Sequence, residues 1–210
     1  MDYATDEERV EELKKWWKEN GKSVILGIVL GLSVLFGWRW WGDYQANQAI
    51  QASTLYTQLE LAIQSKKVDQ ARAFADEIIK KYNSGPYAIY SALSLAKMEY
   101  DNNNLNAAKT HLQWVYDHAK DQEMKYLSGI RLARTLLALD EVDNAYALVS
   151  NTEGGNFAAM FEELKGDIHV RKGETDKAAQ SYQKAAKLLP AGSRISPSLQ
   201  FKIDDVAKAQ

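Results

Sequence analysis

Between Lys22 and Arg39 sixteen consecutive residues carry no charge, and nearly all are apolar, Gly or Ser. A chain can hide such a run inside its own core or inside a lipid bilayer. A helix rises about 1.5 Å per residue and the hydrocarbon core of a bilayer is roughly 30 Å thick, so about 20 residues are needed to cross it. The uncharged stretch is slightly short. Trp38, Trp40 and Trp41 extend it, and Arg39 sits where its guanidinium can snorkel to the interface. Five of the six tryptophans flank the run, Trp16 and Trp17 before it and the other three after it. That is the placement of amphipathic rings at headgroup depth. Residues 23–41 therefore read as one transmembrane helix. A cleaved signal peptide has a shorter apolar region ended by small residues. Here the run begins only at Ser23 and leaves through Gly-Trp-Arg-Trp-Trp-Gly, so an uncleaved anchor is expected.

Arg9, Lys14, Lys15, Lys18 and Lys22 precede the run, whereas after Arg39 no Lys or Arg occurs until Lys66. Positive charge is retained on the cytoplasmic side. Residues 1–22 are thus expected as a cytoplasmic head and residues 42–210 as a translocated domain. Gly27 and Gly31 form a small-residue pair at the spacing that lets a second helix approach. A transmembrane contact there is one expectation and chance occurrence the other. In the head, Val10, Leu13, Trp16 and Trp17 share one helical stripe, and Thr5 with Glu8 resembles a capping box. A short interfacial helix is expected, with a docking handle for a cytoplasmic partner as the alternative.

The tail carries 20 Lys plus Arg and 21 Asp plus Glu, a balance that argues against nucleic acid as its main partner. Cysteine is absent, so no disulfide framework exists. Internal periodicity organises this segment. Val170 to Pro190, VRKGETDKAAQSYQKAAKLLP, matches the second half of a tetratricopeptide repeat, with Gly173 at the turn and Ala178, Tyr182 and Ala185 on the second helix. Twelve residues separate Gly166 from Ala178, Ala133 from Ala145, and Ala96 from Ala108. Small residues so spaced let the two helices of a hairpin approach. An earlier copy has Ala71, but Leu59 stands where its small partner is expected. Ala71, Ala108, Ala145 and Ala178 follow one another at steps of 37, 37 and 33, against about 34 for a standard unit. Breakers at Ser84 to Pro86, Asp101 to Asn104 and Gly154-Gly155 fall between the periodic stretches. Ser196 and Pro197 then start a last helix whose Leu199, Ile203 and Val206 form an apolar stripe, with Lys202, Asp204, Asp205 and Lys208 facing elsewhere. The expected fold is all-α: a single N-terminal transmembrane helix, then a tetratricopeptide-like α-solenoid with a C-terminal capping helix.

No catalytic constellation emerges. His111 and His118 are seven apart, not at the i, i+4 spacing of a metal pair, and neither a phosphate loop nor a nucleophile elbow occurs. Adjacent acids such as Glu162–Glu163 do not share a helix face. No enzyme, metal or cofactor is expected, and what remains is a surface. Stacked hairpins line a groove with their first helices. Projecting the repeat phase places Tyr56 and Glu60 there, then Tyr90, Leu93, Lys97 and Tyr100, then Leu127, Ile130 and Arg134, then Met160, Glu163 and Asp167. The set is apolar and rich in Tyr, a residue enriched at interfaces. Packing between repeats is the alternative for each of them.

Two segments carry a family resemblance: KWWKENGKSVILGIVLGLSVLFGWRWW from Lys15 through the apolar run, and LARTLLALDEVDNAYALV from Leu132. Together with the repeats, they make the chain resemble the YfgM family of ancillary SecYEG translocon subunits over essentially its full length. The resemblance implies the bacterial inner membrane, an N-terminus in the cytoplasm and a C-terminal domain in the periplasm. It also implies association with SecYEG and with a PpiD-type periplasmic chaperone, and help in passing newly translocated, emerging chains to periplasmic chaperones. It implies no catalytic residues. A structural organiser of an envelope complex that binds no clients is the alternative.

Overall fold

The computed structural model describes residues 6–190 and 192–208. Among the described residues it contains nine α-helices and one 3-10 turn, Gly155–Phe157, and no strand. It divides into two units, Met1–Gln51 and Ala52–Gln210.

Helix α1, Asp6–Gln64, is continuous. The separate interfacial helix expected for the head is not formed. No proline lies between Asp6 and Gln64, and the Asn20-Gly21 pair, which would favour a break, is held in the helix by its neighbours. The Asn20 side-chain amide donates to the Trp16 carbonyl at 3.1 Å. The Trp17 ring covers Gly21 so closely that a Cβ there would meet it at 3.2 Å. The capping box at Thr5 lies outside the described residues. Within the apolar run the side chains from Ile25 to Trp41 are exposed, and only 6% of the most apolar 18-residue window is buried. A core helix would be covered, so the run is not one. The hydroxyl in the middle of the run, on Ser33, donates to the Val29 carbonyl at 2.7 Å, which removes the cost of leaving it unpaired in an apolar medium.

The second unit is a series of helical hairpins. The C-terminal part of α1 pairs with α2 (Val68–Lys81), α3 (Pro86–Asp101) with α4 (Leu105–His118), α5 (Gln122–Ala138) with α6 (Val142–Val149), and α7 (Ala158–Arg171) with α8 (Thr175–Lys187). Ala71, Ala108, Ala145 and Ala178 are all fully buried in the second helices, as their phase predicts.

One turn recurs in all four hairpins. Lys66, Asn103, Asp140 and Gly173 each have positive φ, and each stands five residues before the buried alanine. The next residue in each case, Lys67, Asn104, Glu141 or Glu174, donates its N–H to the carbonyl five residues back, at 2.8–2.9 Å. The positive-φ residue itself donates to the carbonyl three back, at 2.9–3.1 Å. These two bonds are the Schellman pair that satisfies the last carbonyls of a helix. The residue that closes the first helix also accepts the first bond of the second, from the buried alanine's N–H. A single residue thus ends one helix and starts the next, which fixes the hairpin geometry in every copy.

Across each hairpin, side-chain volume is complementary. Leu59 stands with Ala75 in one cluster, and Ala96 with Leu112 and Ala133 with Val149 in another. Gly166 lies under the ring of Tyr182, where a Cβ would come within 2.3 Å of a ring carbon. The large residue at Leu59 is therefore no defect of the first repeat, because the small member of that pair lies on α2. The last helix, α9 (Pro197–Lys208), begins as expected, with the Ser196 hydroxyl accepting from the Leu199 N–H at 3.1 Å. Leu199 and Val206 are buried against Ala178, Tyr182 and Ala185. Lys202 differs from the expectation. It does not face elsewhere but reaches α7, where Glu163 and Asp167 accept its protons at 2.7 and 2.9 Å.

Candidate partner-binding surface

The repeat phase predicts a face formed by the first helices of the second unit, and the structure shows where each of the predicted residues lies. Tyr56, Tyr87 and Tyr90 make an aromatic cluster with centroids 5.7–6.3 Å apart. Tyr56 is half-buried and hydrogen-bonded to the Ser94 hydroxyl at 3.3 Å, and Ser94 in turn donates to Glu60 at 2.6 Å. Burial pushes the Tyr56 phenol up from its ordinary value, the Ser94 bond opposes this, and the Glu60 charge adds to it. Tyr56 thus belongs as much to the packing between α1 and α3 as to the surface, while Tyr90 is exposed.

On α3 the residues Leu93, Lys97 and Tyr100 line a groove of about 360 Å³ together with Arg134 on α5. Four of the expected positions thus meet in one depression. Its remaining lining is Ala96, Leu112, Arg131 and Thr135. Ile130 is a correction: it is 1% exposed and belongs to the core cluster with Leu132, Ala133 and Leu136. Arg131, not Ile130, presents its side chain to the groove. One residue on a helix is a rotation of about 100°, so a phase error of one exchanges a surface position for a buried one. Leu127 is half-buried and Met160 is exposed, and neither lines the groove. Gly27 and Gly31, in the first unit, have open space where a Cβ would be.

The flanks of this surface are held by ion pairs that cross from one hairpin to the next. Arg72 on α2 donates to both oxygens of Glu99 on α3, at 2.6 and 3.0 Å, and Asn104 adds a third bond at 2.9 Å. Glu99 is 1% exposed, and the Arg72 bond holds its carboxyl below the ordinary value against the opposing effect of burial. Lys109 on α4 donates to Glu141 at 2.7 Å. Lys172 donates to Asp143 at 2.7 Å and lies over the Tyr146 ring. Arg72, Lys109 and Tyr146 each directly follow the buried alanine of their second helix, so the repeat places one cross-hairpin contact at the same register three times. At the C-terminal end Glu162, buried, accepts from Lys165 and Lys184 at 3.1 and 3.0 Å. Burial alone would raise its carboxyl, but the two ammonium groups hold it below the ordinary value. The acids Glu163 and Asp167, read as groove positions, are engaged by Lys202.

The histidines have structural partners. His118 stacks on Trp114 at 4.4 Å and bonds its carbonyl, and His169 pairs with Glu174 at 2.6 Å. Burial lowers the His111 imidazole below its ordinary value, with the Glu99 charge opposing.

The chain matches the tetratricopeptide repeat-like domain family over residues 14–208. A protein of Haemophilus influenzae described as an ancillary SecYEG translocon subunit is 30% identical over 200 residues, covering 95% of this chain and 96% of its own length. An Escherichia coli protein of the same description is also 30% identical, over 210 residues and 98% of each chain. One from Neisseria gonorrhoeae is 26% identical, over 97% of this chain and 98% of its own.

Proposed function

The chain belongs to the tetratricopeptide repeat-like family of ancillary SecYEG translocon subunits, and from that premise we propose that it is a non-catalytic scaffold of the protein translocon. The observation that carries this reading is the joining, in one chain matched along nearly its whole length, of a helix apolar enough to cross a membrane and a repeat domain with an open first-helix groove. In this reading residues 1–22 lie in the cytoplasm, residues 23–41 span the inner membrane and residues 42–210 stand in the periplasm. The Lys and Arg excess before the span supports that direction. The span, through Gly27 and Gly31, supplies a helix contact within the translocon assembly. The repeat surface engages a membrane-anchored periplasmic folding factor of the PpiD type and emerging chains, and so assists their passage to periplasmic chaperones.

Photo-crosslinking in native membranes tests this. Photoreactive residues at Tyr90 and Arg134, both exposed, should trap a translocon component, a periplasmic folding factor or a chain in transit. Crosslinks to none of the three would refute the scaffold reading.

A further inference from the structure

We propose that the lysines just before the apolar run form a binding site for the headgroup of an anionic phospholipid, with Lys18, Lys22 and the Trp17 indole as its contacts. Residues 13–22 hold four Lys against one Glu, whereas six of the seven acids of residues 1–22, from Asp2 to Glu12, lie farther from the run. Charge in this segment is therefore sorted by distance from Ser23, where the run begins. Because α1 is continuous from Asp6, Lys14, Lys15, Lys18 and Lys22 have fixed positions on one helix. They fall within about 100° of its circumference and spread over about 12 Å of its length. All four are exposed, and none makes an ion pair or a hydrogen bond among the described residues. Acids at pairing distance along the helix are present, since Glu11 and Glu19 stand four residues either side of Lys15. On the repeat domain the same spacing is used, by Lys81 with Glu77 and by Lys97 with Asp101.

Depth along the helix selects among the four. The polar layer of a bilayer is about 5–8 Å thick on each side of the hydrocarbon. Lys22 directly precedes the apolar run, and Lys18 stands about 6 Å farther along the axis. Side chains on a helix lean toward its N-terminus, which here is away from the run, so Lys22 lifts its ammonium out of the apolar layer toward the phosphates. Lys14 and Lys15, one turn farther out, add attraction without contact. Trp17 leans the other way. Its ring lies over Gly21, with the indole Nε1 3.3 Å from the position a Cβ would take. The missing side chain at Gly21 thus lets the indole settle at a level between Lys18 and Lys22. The Nε1–H makes no hydrogen bond among the described residues. Lys18 is three residues from Gly21 and four from Lys22, so the ring and both ammonium groups are neighbours on the helix surface. A phosphate diester can accept from all three. A headgroup of net negative charge keeps the whole gain from the two ammonium groups, whereas a zwitterionic one carries its own cation, which offsets it. The acids from Asp2 to Glu12 oppose attraction of the head at long range, so recognition is confined to about one Debye length of 10 Å around the lysines.

The site goes beyond the scaffold reading and rests on one part of it, that residues 23–41 span a membrane. The test uses the full-length protein in mild detergent, incubated with equimolar phosphatidylglycerol and phosphatidylcholine of the same acyl chains. Native mass spectrometry counts the lipids retained. Phosphatidylglycerol should be retained at least about fivefold over phosphatidylcholine, the scale of one basic residue at an anionic surface. Lys18→Gln with Lys22→Gln should abolish that preference, and Lys18→Arg with Lys22→Arg should keep it. Lys80→Gln on α2 should leave it unchanged. Trp17→Phe, which keeps a ring and removes the N–H, should lower retention of both lipids and leave their ratio. Equal retention of the two lipids by the parent, or a preference unchanged in the double Gln variant, overturns the site. Displacement of phosphatidylglycerol by an equal concentration of glycerol 3-phosphate overturns it in favour of a soluble phosphate. Alkaline carbonate extraction of the protein reconstituted in phosphatidylcholine vesicles is a separate readout. A parent that is extracted refutes the spanning reading and the site with it; a parent that stays in the bilayer but shows no lipid preference loses only the site.

Discussion

Replacing Gly166 with Ala adds one methyl group where α7 packs directly against the Tyr182 ring of α8. The new Cβ would lie 2.3, 2.4 and 2.9 Å from three carbons of the Tyr182 ring, distances that require something to move. The ring has little freedom to do so. It is 2% exposed, its hydroxyl donates to Asp167 at 2.8 Å, and Lys202 lies over it at 5.8 Å. Forcing a group into a packed core costs about 1–3 kcal/mol, and displacing the ring sacrifices a hydrogen bond to a charged acceptor worth about 1.5–3 kcal/mol. Against this, Ala is favoured over Gly in a helix interior by about 1 kcal/mol. The net expectation is a destabilisation of about 2–4 kcal/mol, read as a lower urea midpoint of the far-UV circular dichroism transition of the full-length protein in mild detergent. The volume rule adds a sharper test. The second hairpin already uses the pair Ala96 and Leu112, so Tyr182→Leu in the Gly166→Ala background should recover part of the loss, although Tyr182→Leu alone is destabilising. A Gly166→Ala protein as stable as the parent, or a double variant whose loss is the sum of the two single losses, would refute the complementary-volume account.

Lys66, which adopts positive φ without the local side-chain bonding of Asn or Asp, should be improved by Gly. Relief of a left-handed conformation is worth about 1–2 kcal/mol, reduced by the extra chain entropy of Gly. Lys66→Gly should therefore raise the urea midpoint modestly, while Gly173→Val should lower it. Glu99 has a folded value held below its ordinary 4.5, so the ionised form stabilises the fold above that pH, and the contribution is lost as pH falls through the folded value. Acid titration of stability should show a steeper decline below pH 4.5 in the parent than in Glu99→Gln. Lys202→Ala removes both ties from α9 to α7, and limited proteolysis should then cleave the segment after Pro190 faster, with the earlier hairpins unaffected. In the first unit, Gly27→Leu with Gly31→Leu should weaken co-purification of translocon components from membranes, because the small-residue face no longer admits a neighbouring helix.

The expected groove set shows where local pattern suffices and where it does not. Tyr90, Leu93, Lys97 and Tyr100 lie on α3 as their spacing requires. On α5 the same projection picks Ile130 over Arg131, because that helix is covered on two sides and its apolar residues fill most of its circumference. With a stripe that broad, periodicity leaves the exposed edge undefined to within one residue. The Leu59 position departs from the small-residue pattern for a related reason: its complement, Ala75, lies on the other helix, and one position alone cannot report a shared volume.

The sequence by itself determined the apolar run, the all-α repeat class, the hairpin register and the capping helix. Each of these follows from interactions within about forty residues of chain, so a periodic pattern records them. Only the structure shows that α1 runs unbroken through Gly21 and Gly42, held at Gly21 by side chains one turn away. It also decided that Arg72, Lys109 and Lys202 reach acids 27, 32 and 35–39 residues away, and that Arg131 joins Lys97 and Arg134 at one groove. Long flexible side chains can take many partners. Which carboxylate they meet, or whether they are left facing open space, depends on where neighbouring helices pack, and composition and spacing do not encode that.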